Sequence, residues 1–214
     1  MDYWKPIFFN QDKAYPFLII DNWYSEQEEK NVWKELDFYT SNESELYRAE
    51  NTTVAKDKNN KAKGFSYRIY PDLYYYPNKR NKSNIFQYLY KQQQKEFHKL
   101  IKDAMPHGRQ FDCTNGTSSL ISYYDNNDYY NSHFDVFQFT CLIWFYKTPK
   151  LYTGGDFYFP ESDTIIESKH NRMCIFPSYY LHQVKPIIFN NKPKELGYGR
   201  YTITHFYFTY PKPE

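Results

Sequence analysis

Cysteine is scarce in this chain: Cys113, Cys141 and Cys174 are the only three among 214 residues. Their number is odd and their spacing wide, which speaks against a disulfide-stapled scaffold and for buried free thiols in a reducing compartment. Long hydrophobic runs are missing too. No stretch approaches the roughly 18 apolar residues of a membrane-spanning helix, and the opening Met1-Asp2-Tyr3-Trp4-Lys5-Pro6 has no apolar signal-peptide core. The expectation is a cytoplasmic protein with no membrane partner. Charge of one sign is also missing: 27 Lys and Arg stand against 25 Asp and Glu, a net charge of +2. Without a dominant basic block, nucleic acid is an unfavoured partner, and the small cluster Lys79, Arg80 and Lys82 reads as a solvated loop. Glycine is limited to seven residues, and the adjacent pair Gly154-Gly155 reads as a turn. Asn51-Thr52-Thr53 and Asn115-Gly116-Thr117 match glycosylation acceptors, but carry no weight without a secretory signal.

Aromatics are what the chain has in excess, 22% of it, with 25 Tyr and 18 Phe. Mean hydropathy is −0.88, yet the apolar runs are strong enough for a globular chain. Its length suits one domain that buries about 70% of its extended surface. Phe17-Leu18-Ile19-Ile20 reads as a buried strand. Ser25-Glu26-Gln27-Glu28 is a capping box, opening a helix with Val32 and Leu36 on one face. Residues 40–63 are polar and loop-like, Phe65 to Tyr70 form a candidate strand, and a longer helix is expected from about Asn84 to Ala104. Ile85, Leu89, Phe97, Leu100, Ile101 and Ala104 would share its buried stripe. From Ser118 onward the chain is nearly all β, so helices first and strands after predict an α+β domain.

Three residues far apart in sequence carry the chemistry. In a β-strand, residues i and i+2 share a face, so His133 and Asp135 of His133-Phe134-Asp135 can bind one ion. His182 can supply a third ligand from a facing strand. Two histidines and a carboxylate form the facial triad of non-haem Fe(II) oxygenases, leaving about three octahedral positions open. The surrounding runs fit: Ser122-Tyr123-Tyr124 before a turn at Asp125 to Asp128, the apolar Phe139 to Tyr146, Thr153-Gly154-Gly155-Asp156, Met173 to Pro177, and Gly199 to Phe208.

Taken in order, Tyr124, Asp128, His133-x-Asp135, Phe139-Thr140, Gly154-Gly155-Asp156, Phe176-Pro177, His182 and Arg200 resemble the catalytic domain of the Fe(II)/2-oxoglutarate-dependent oxygenases, in their prolyl 4-hydroxylase-like group. Tyr15 to Ser25 resembles the strand-to-helix opening of that group. The resemblance covers most of the chain apart from roughly 40–84. It implies a double-stranded β-helix (jelly roll, cupin-like) with supporting helices on one face. It further implies a single domain over 1–214, in which 1–115 support a catalytic core at 116–210.

The resemblance also assigns roles. His133, Asp135 and His182 would bind Fe(II) and so be catalytic. Arg200 would grip the far carboxylate of the cosubstrate 2-oxoglutarate through two parallel hydrogen bonds. Thr202, two residues on, adds a hydroxyl, and Tyr124 a phenol, with Tyr123 the competing choice. Arg200 lies 18 residues after the distal histidine (200 − 182), farther than the usual ten or so, which implies a longer hairpin loop at 189–197. Lys185 is the competing cation, though it comes early and precedes a proline. His98, His107 and His170 lie outside the pattern as surface residues, and His205 is structural. The implied reaction consumes O2 and 2-oxoglutarate and releases succinate and CO2, with ascorbate as a candidate reductant. The presence of Asp135 favours hydroxylation over halogenation. The expected substrate is a prolyl or other residue in a peptide or protein, with a lid at about 47–76 whose Tyr67, Tyr70, Tyr74, Tyr75 and Tyr76 line a groove or else pack in the core. The alternatives are a small-molecule or free amino-acid hydroxylase, a nucleic-acid oxidative demethylase, and a catalytically silent jelly-roll binding module. Oligomeric state is open.

Overall fold

The computed structural model describes residues 2–9, 14–41, 54–68 and 83–210. Strands β1 (Lys5–Phe9) and β2 (Phe17–Asp21) lead into helix α1 (Glu26–Tyr39). β2 is buried at every position, as its apolar run requires. α1 begins with the reciprocal cap: the Glu28 N–H donates to Ser25 Oγ, and the Ser25 N–H donates to the Glu28 carboxylate at 2.8 Å. Val32 and Leu36 face the core. β3 (Phe65–Arg68) is the described part of the strand expected over 65–70.

The helix expected from Asn84 to Ala104 is three pieces: a single turn α2 (Asn84–Gln87), a 3-10 stretch Tyr88–Gln93, and α3 (Lys95–Ala104). Gln94 breaks it in an extended conformation (ψ 142°). Two polar side chains cause the departure by turning into the core. Lys91 Nζ donates to Glu28 at 2.7 Å and to the Trp23 carbonyl at 2.6 Å. It lies 5.0–5.7 Å from the ring centroids of Tyr3, Trp4, Trp23 and Tyr24. Gln92 reaches the Cys141 sulfur. These tertiary bonds override helix propensity. Of the expected stripe, Ile85, Phe97, Ile101 and Ala104 are buried, while Leu89 and Leu100 are half-buried.

After a further 3-10 stretch, Pro106–Cys113, the strands follow: β4 (Gly116–Tyr124), β5 (Tyr130–His133), β6 (Phe139–Phe145), β7 (Tyr152–Gly154), β8 (Phe157–Phe159), β9 (Thr164–Ile166), β10 (Arg172–Pro177), β11 (His182–Val184), β12 (Ile187–Phe189) and β13 (Arg200–Phe208). A seven-stranded sheet runs β1-β2-β10-β6-β13-β4-β3, a four-stranded one β5-β11-β8-β9, and β12 pairs with β7. This is the α+β double-stranded β-helix. The helices pack on the outer face of the larger sheet, where Val32, Ile85, Phe97 and Ile101 meet Ile143, Phe145, Tyr201 and Ile203. Between the sheets, Leu142, Trp144 and Phe176 meet Phe157, Phe159 and Val184.

The twofold period of a strand divides these two interiors. On β13, Tyr201, Ile203 and Tyr207 belong to the helical core, while Arg200, Thr202, Thr204 and Phe206 line a cavity between the sheets. On β4, Ile121 and Tyr123 face the helices, and Leu120, Ser122 and Tyr124 face the cavity. Cys141 and Cys174 are buried as expected, but Cys113 is exposed. Among the described residues no helix is long and apolar enough to cross a membrane.

Candidate active site

β11 lies antiparallel to β5 with His182 directly opposite His133. Strand pairing alone therefore brings together two residues 49 positions apart (182 − 133). Asp135 arrives differently. β5 ends at His133, so His133 and Asp135 do not share a strand as the sequence suggested. Asp135 sits in the loop beyond, its N–H donating to the Ser178 carbonyl at 3.0 Å. The result is the same juxtaposition. Asp135 is 3.8 Å from His133 Nε2 through one carboxylate oxygen and 3.5 Å from His182 Nε2 through the other. Donor atoms of the three residues all lie within 4.8 Å of one another.

The bonds behind the three side chains set which atoms face inward. His133 Nδ1 lies 2.8 Å from the Asn131 carbonyl, and His182 Nδ1 lies 2.8 Å from the Tyr180 carbonyl. A carbonyl only accepts, so each Nδ1 carries the hydrogen and each Nε2 presents a lone pair. Thr140 Oγ1 donates to Asp135 at 2.6 Å and lies 2.8 Å from Ser178 Oγ. Since the Thr140 hydrogen is committed to the carboxylate, Ser178 is the donor in that second bond. Such backing orients and tunes a metal ligand. Burial pushes the His182 imidazole down to about 3, helped by His133, and lowers His133 as well. Burial also raises the Asp135 carboxyl. Two neutral imidazoles and a carboxylate in a desolvated cleft fit a divalent ion whose charge would replace the missing compensation.

The cavity beside them, about 310 Å³, runs from these three residues to Arg200. The Arg200 side chain is fully buried, and burial lowers its pKa. One nitrogen, Nη1, is held by the Gly155 carbonyl and by Ser168 Oγ at 3.2 Å. The glycine pair read as a turn thus has a second use: its carbonyl steers the guanidinium. The Tyr124 ring stacks against that guanidinium, 4.6 Å from centroid to Cζ, and Tyr124 is opposite Arg200 in the strand register. Arg200 Nε and Nη2, Thr202 Oγ1 and Trp144 Nε1 are buried and have no partner among the described residues. Buried donors left unpaired cost roughly 1–3 kcal/mol each. Arg200, Thr202 and Trp144 line the same cavity, with Thr202 opposite Trp144 between β13 and β6. That donor set fits the carboxylate of 2-oxoglutarate.

Trp144 is the residue that sequence reasoning missed; an indole N–H is donor-only, but inside an apolar strand it reads as core. The competing assignments are decided by geometry. Tyr123 points to the helical side, where its hydroxyl accepts from the Gly197 and Gly199 N–H groups at 2.8 and 2.9 Å. Lys185 lies 4.0 Å from the Tyr158 ring centroid and does not line the cavity. His205 is buried against Ser119, as a structural residue would be. His107 is exposed, and His98 bonds Asp112. His170 and His98 are both half-buried rather than fully exposed; His170 lies 2.8 Å from Glu29 and stacks on Trp33. Tyr70, Tyr74, Tyr75 and Tyr76 of the expected lid lie outside the described residues, as do Lys79, Arg80 and Lys82.

Residues 119–208 match the family model of the 2OG-Fe(II) oxygenase superfamily. A search of curated proteins found no match. Among solved structures the chain is similar to a prolyl-4-hydroxylase from Pseudomonas putida, with a TM-score of 0.61 and 15% identity over 92% of this chain and 95% of that one. It is also similar to a prolyl hydroxylase from Trichoplax adhaerens in complex with a hypoxia inducible factor oxygen degradation domain peptide fragment (TM-score 0.58, 16% identity, 91% and 84% covered). A third is the viral collagen prolyl hydroxylase of Paramecium Bursaria Chlorella virus-1 in its 2OG complex (0.51, 13%, 98% and 97%).

Proposed function

We propose that this chain, which belongs to the 2OG-Fe(II) oxygenase superfamily and is an Fe(II)- and 2-oxoglutarate-dependent dioxygenase, hydroxylates a C–H bond of a prolyl or other residue in a peptide or protein. One observation carries the assignment of residues: a triad of donor atoms within 4.8 Å opens into the same cavity as a buried arginine with two unpaired nitrogens. His133, Asp135 and His182 would hold the iron. Arg200, Thr202 and Trp144 would take the far carboxylate of 2-oxoglutarate, and Tyr124 would fix the guanidinium plane. The bound iron and cosubstrate supply the activation of O2, with succinate and CO2 as the other products.

The chain's own residues orient and screen. The two Nδ1–H bonds to carbonyls fix the tautomer and aim both Nε2 atoms inward, while burial keeps the imidazoles neutral. Thr140 fixes the rotation of the Asp135 carboxylate. Phe157, Leu142 and Val184 keep the inner cavity apolar, which excludes water from the reacting centre. The peptide reading is supported by the likeness to prolyl hydroxylases, one of them bound to a peptide. In this reading 1–115 and 116–210 act as support and catalytic core of one domain.

The test is anaerobic addition of Fe(II) and 2-oxoglutarate to the purified chain, followed by O2 and a screen of proline-containing peptides. A weak visible charge-transfer band, succinate release and a peptide mass gain of one oxygen are expected. Succinate release stimulated only by free amino acids would move the substrate class to small molecules. No band and no succinate from folded, metal-loaded protein would overturn the assignment of residues.

A further inference from the structure

Two apolar side chains border Asp135 on either side, and both stand in water. Phe134 is 65% exposed and Val136 is 92% exposed, yet both line the same cavity as the triad and Arg200. Since Arg200 is fully buried at one end, these two mark the mouth at the other. Single exposed apolar residues are ordinary on protein surfaces. Here they are grouped. The loop that carries them is bound to the Ser178 carbonyl through Asp135, and the next residue, Tyr179, is 59% exposed. The neighbouring Phe137 is stacked on Phe206 with ring centroids 4.5 Å apart. Phe134 has no such ring partner among the described residues.

The charge pattern of the cavity narrows what can sit there. Among the described residues its only charged lining side chains besides the histidines are Asp135 and Arg200, both assigned to the chemistry proposed above. A charged substrate side chain at the mouth would lose water against Phe134 and Val136 and find no counter-ion among the described lining residues. An uncharged apolar group would instead cover two side chains now facing solvent.

On the peptide-hydroxylase reading above, we propose that Phe134 and Val136 are specificity-determining contacts. They receive an uncharged apolar residue, proline or an aliphatic one, at or beside the reacting C–H bond, and they disfavour substrates with a charge there.

The test uses synthetic peptides with one central proline flanked by Ala, Glu or Lys, assayed for gain of one oxygen with Fe(II), 2-oxoglutarate and O2. The wild-type chain is expected to prefer the Ala-flanked peptide. Phe134→Ala and Val136→Ala should raise the peptide KM about tenfold, the effect of losing one good apolar contact, and raise the KM for 2-oxoglutarate far less. Val136→Glu should favour the Lys-flanked peptide over the Glu-flanked one, a discrimination that general loosening of the fold would not produce. All three substitutions fall at exposed positions, where folding tolerates them. Peptide KM values unchanged in all three variants, with the order of peptides preserved, would overturn the assignment and leave the peptide reading standing. Failure of the wild-type chain to hydroxylate any peptide would overturn both.

Discussion

Arg200 is a cation placed where water cannot reach it, and among the described residues it makes no ion pair. Its ring contact with Tyr124 and its bonds to Gly155 and Ser168 hold the guanidinium plane. Two nitrogens stay free for a carboxylate. Lysine could keep the charge but not the fork. Arg200→Lys is therefore expected to raise the KM for 2-oxoglutarate at least about tenfold, the loss of one charge-assisted bond, with a smaller change in kcat at saturation. Succinate formation against 2-oxoglutarate concentration measures it. Thr140 acts on the metal side. Thr140→Val keeps the shape and removes the bond to Asp135. Affinity for Fe(II) should fall by roughly 10–100-fold, as read by anaerobic metal titration. Unaltered affinity would mean that the Asp135 N–H bond to the Ser178 carbonyl and the strand contacts alone fix the loop.

At the scale of elements, the unusual distance from His182 to Arg200 has a structural answer. The extra residues follow β12 and return through a loop whose Gly197 and Gly199 N–H groups both donate to Tyr123 Oη. One phenol on β4 thus anchors the entry to β13 and with it the height of Arg200 in the cavity. Burial holds that phenol at about 12, so it stays a neutral acceptor. Tyr123→Phe would leave two N–H groups without their partner, at roughly 1–3 kcal/mol of stability, and should loosen 2-oxoglutarate binding together with the melting temperature. A lower melting temperature with unchanged KM would confine Tyr123 to stability. Local signals made much of this legible. The Ser25–Glu28 box started α1, and the apolar runs became β2, β6 and β10 because pattern and burial agree there. The segment 84–104 departs from one continuous helix: Lys91 and Gln92 look like solvated helix positions in sequence, and only the fold supplies their buried partners. Asp135 was found by a strand argument although a loop delivers it; the spacing was informative, the mechanism of delivery was not. Trp144 could not be told from core without knowing which face of β6 meets Thr202.

For the whole molecule, acid is the natural stress. His182 and His205 are both depressed to about 3 by burial, and His133 is lowered too. An unfolded chain takes up these protons near 6.5. Between about 6.5 and 3 the unfolded state therefore binds more protons, so stability is present above that window and is lost as pH falls through it. His205 is outside the proposed metal site and isolates the effect. His205→Gln can keep a bond to Ser119 and should flatten stability against pH by up to about 1.4 kcal/mol per unit in that window, measured as urea midpoints from near neutral to mildly acidic pH. An unchanged slope would show that the ring is hydrated in solution.

The order His133-Phe134-Asp135-Val136 has one more consequence. On the assignments proposed above, positions that would bind the metal alternate with exposed positions at the mouth, so heredity can handle them separately. If the substrate is a polypeptide, drift at two codons, 134 and 136, would retune which ones are modified while the neighbouring two codons stay frozen. Within one lineage, new targets could be acquired by single-nucleotide steps that leave the catalyst intact at every stage.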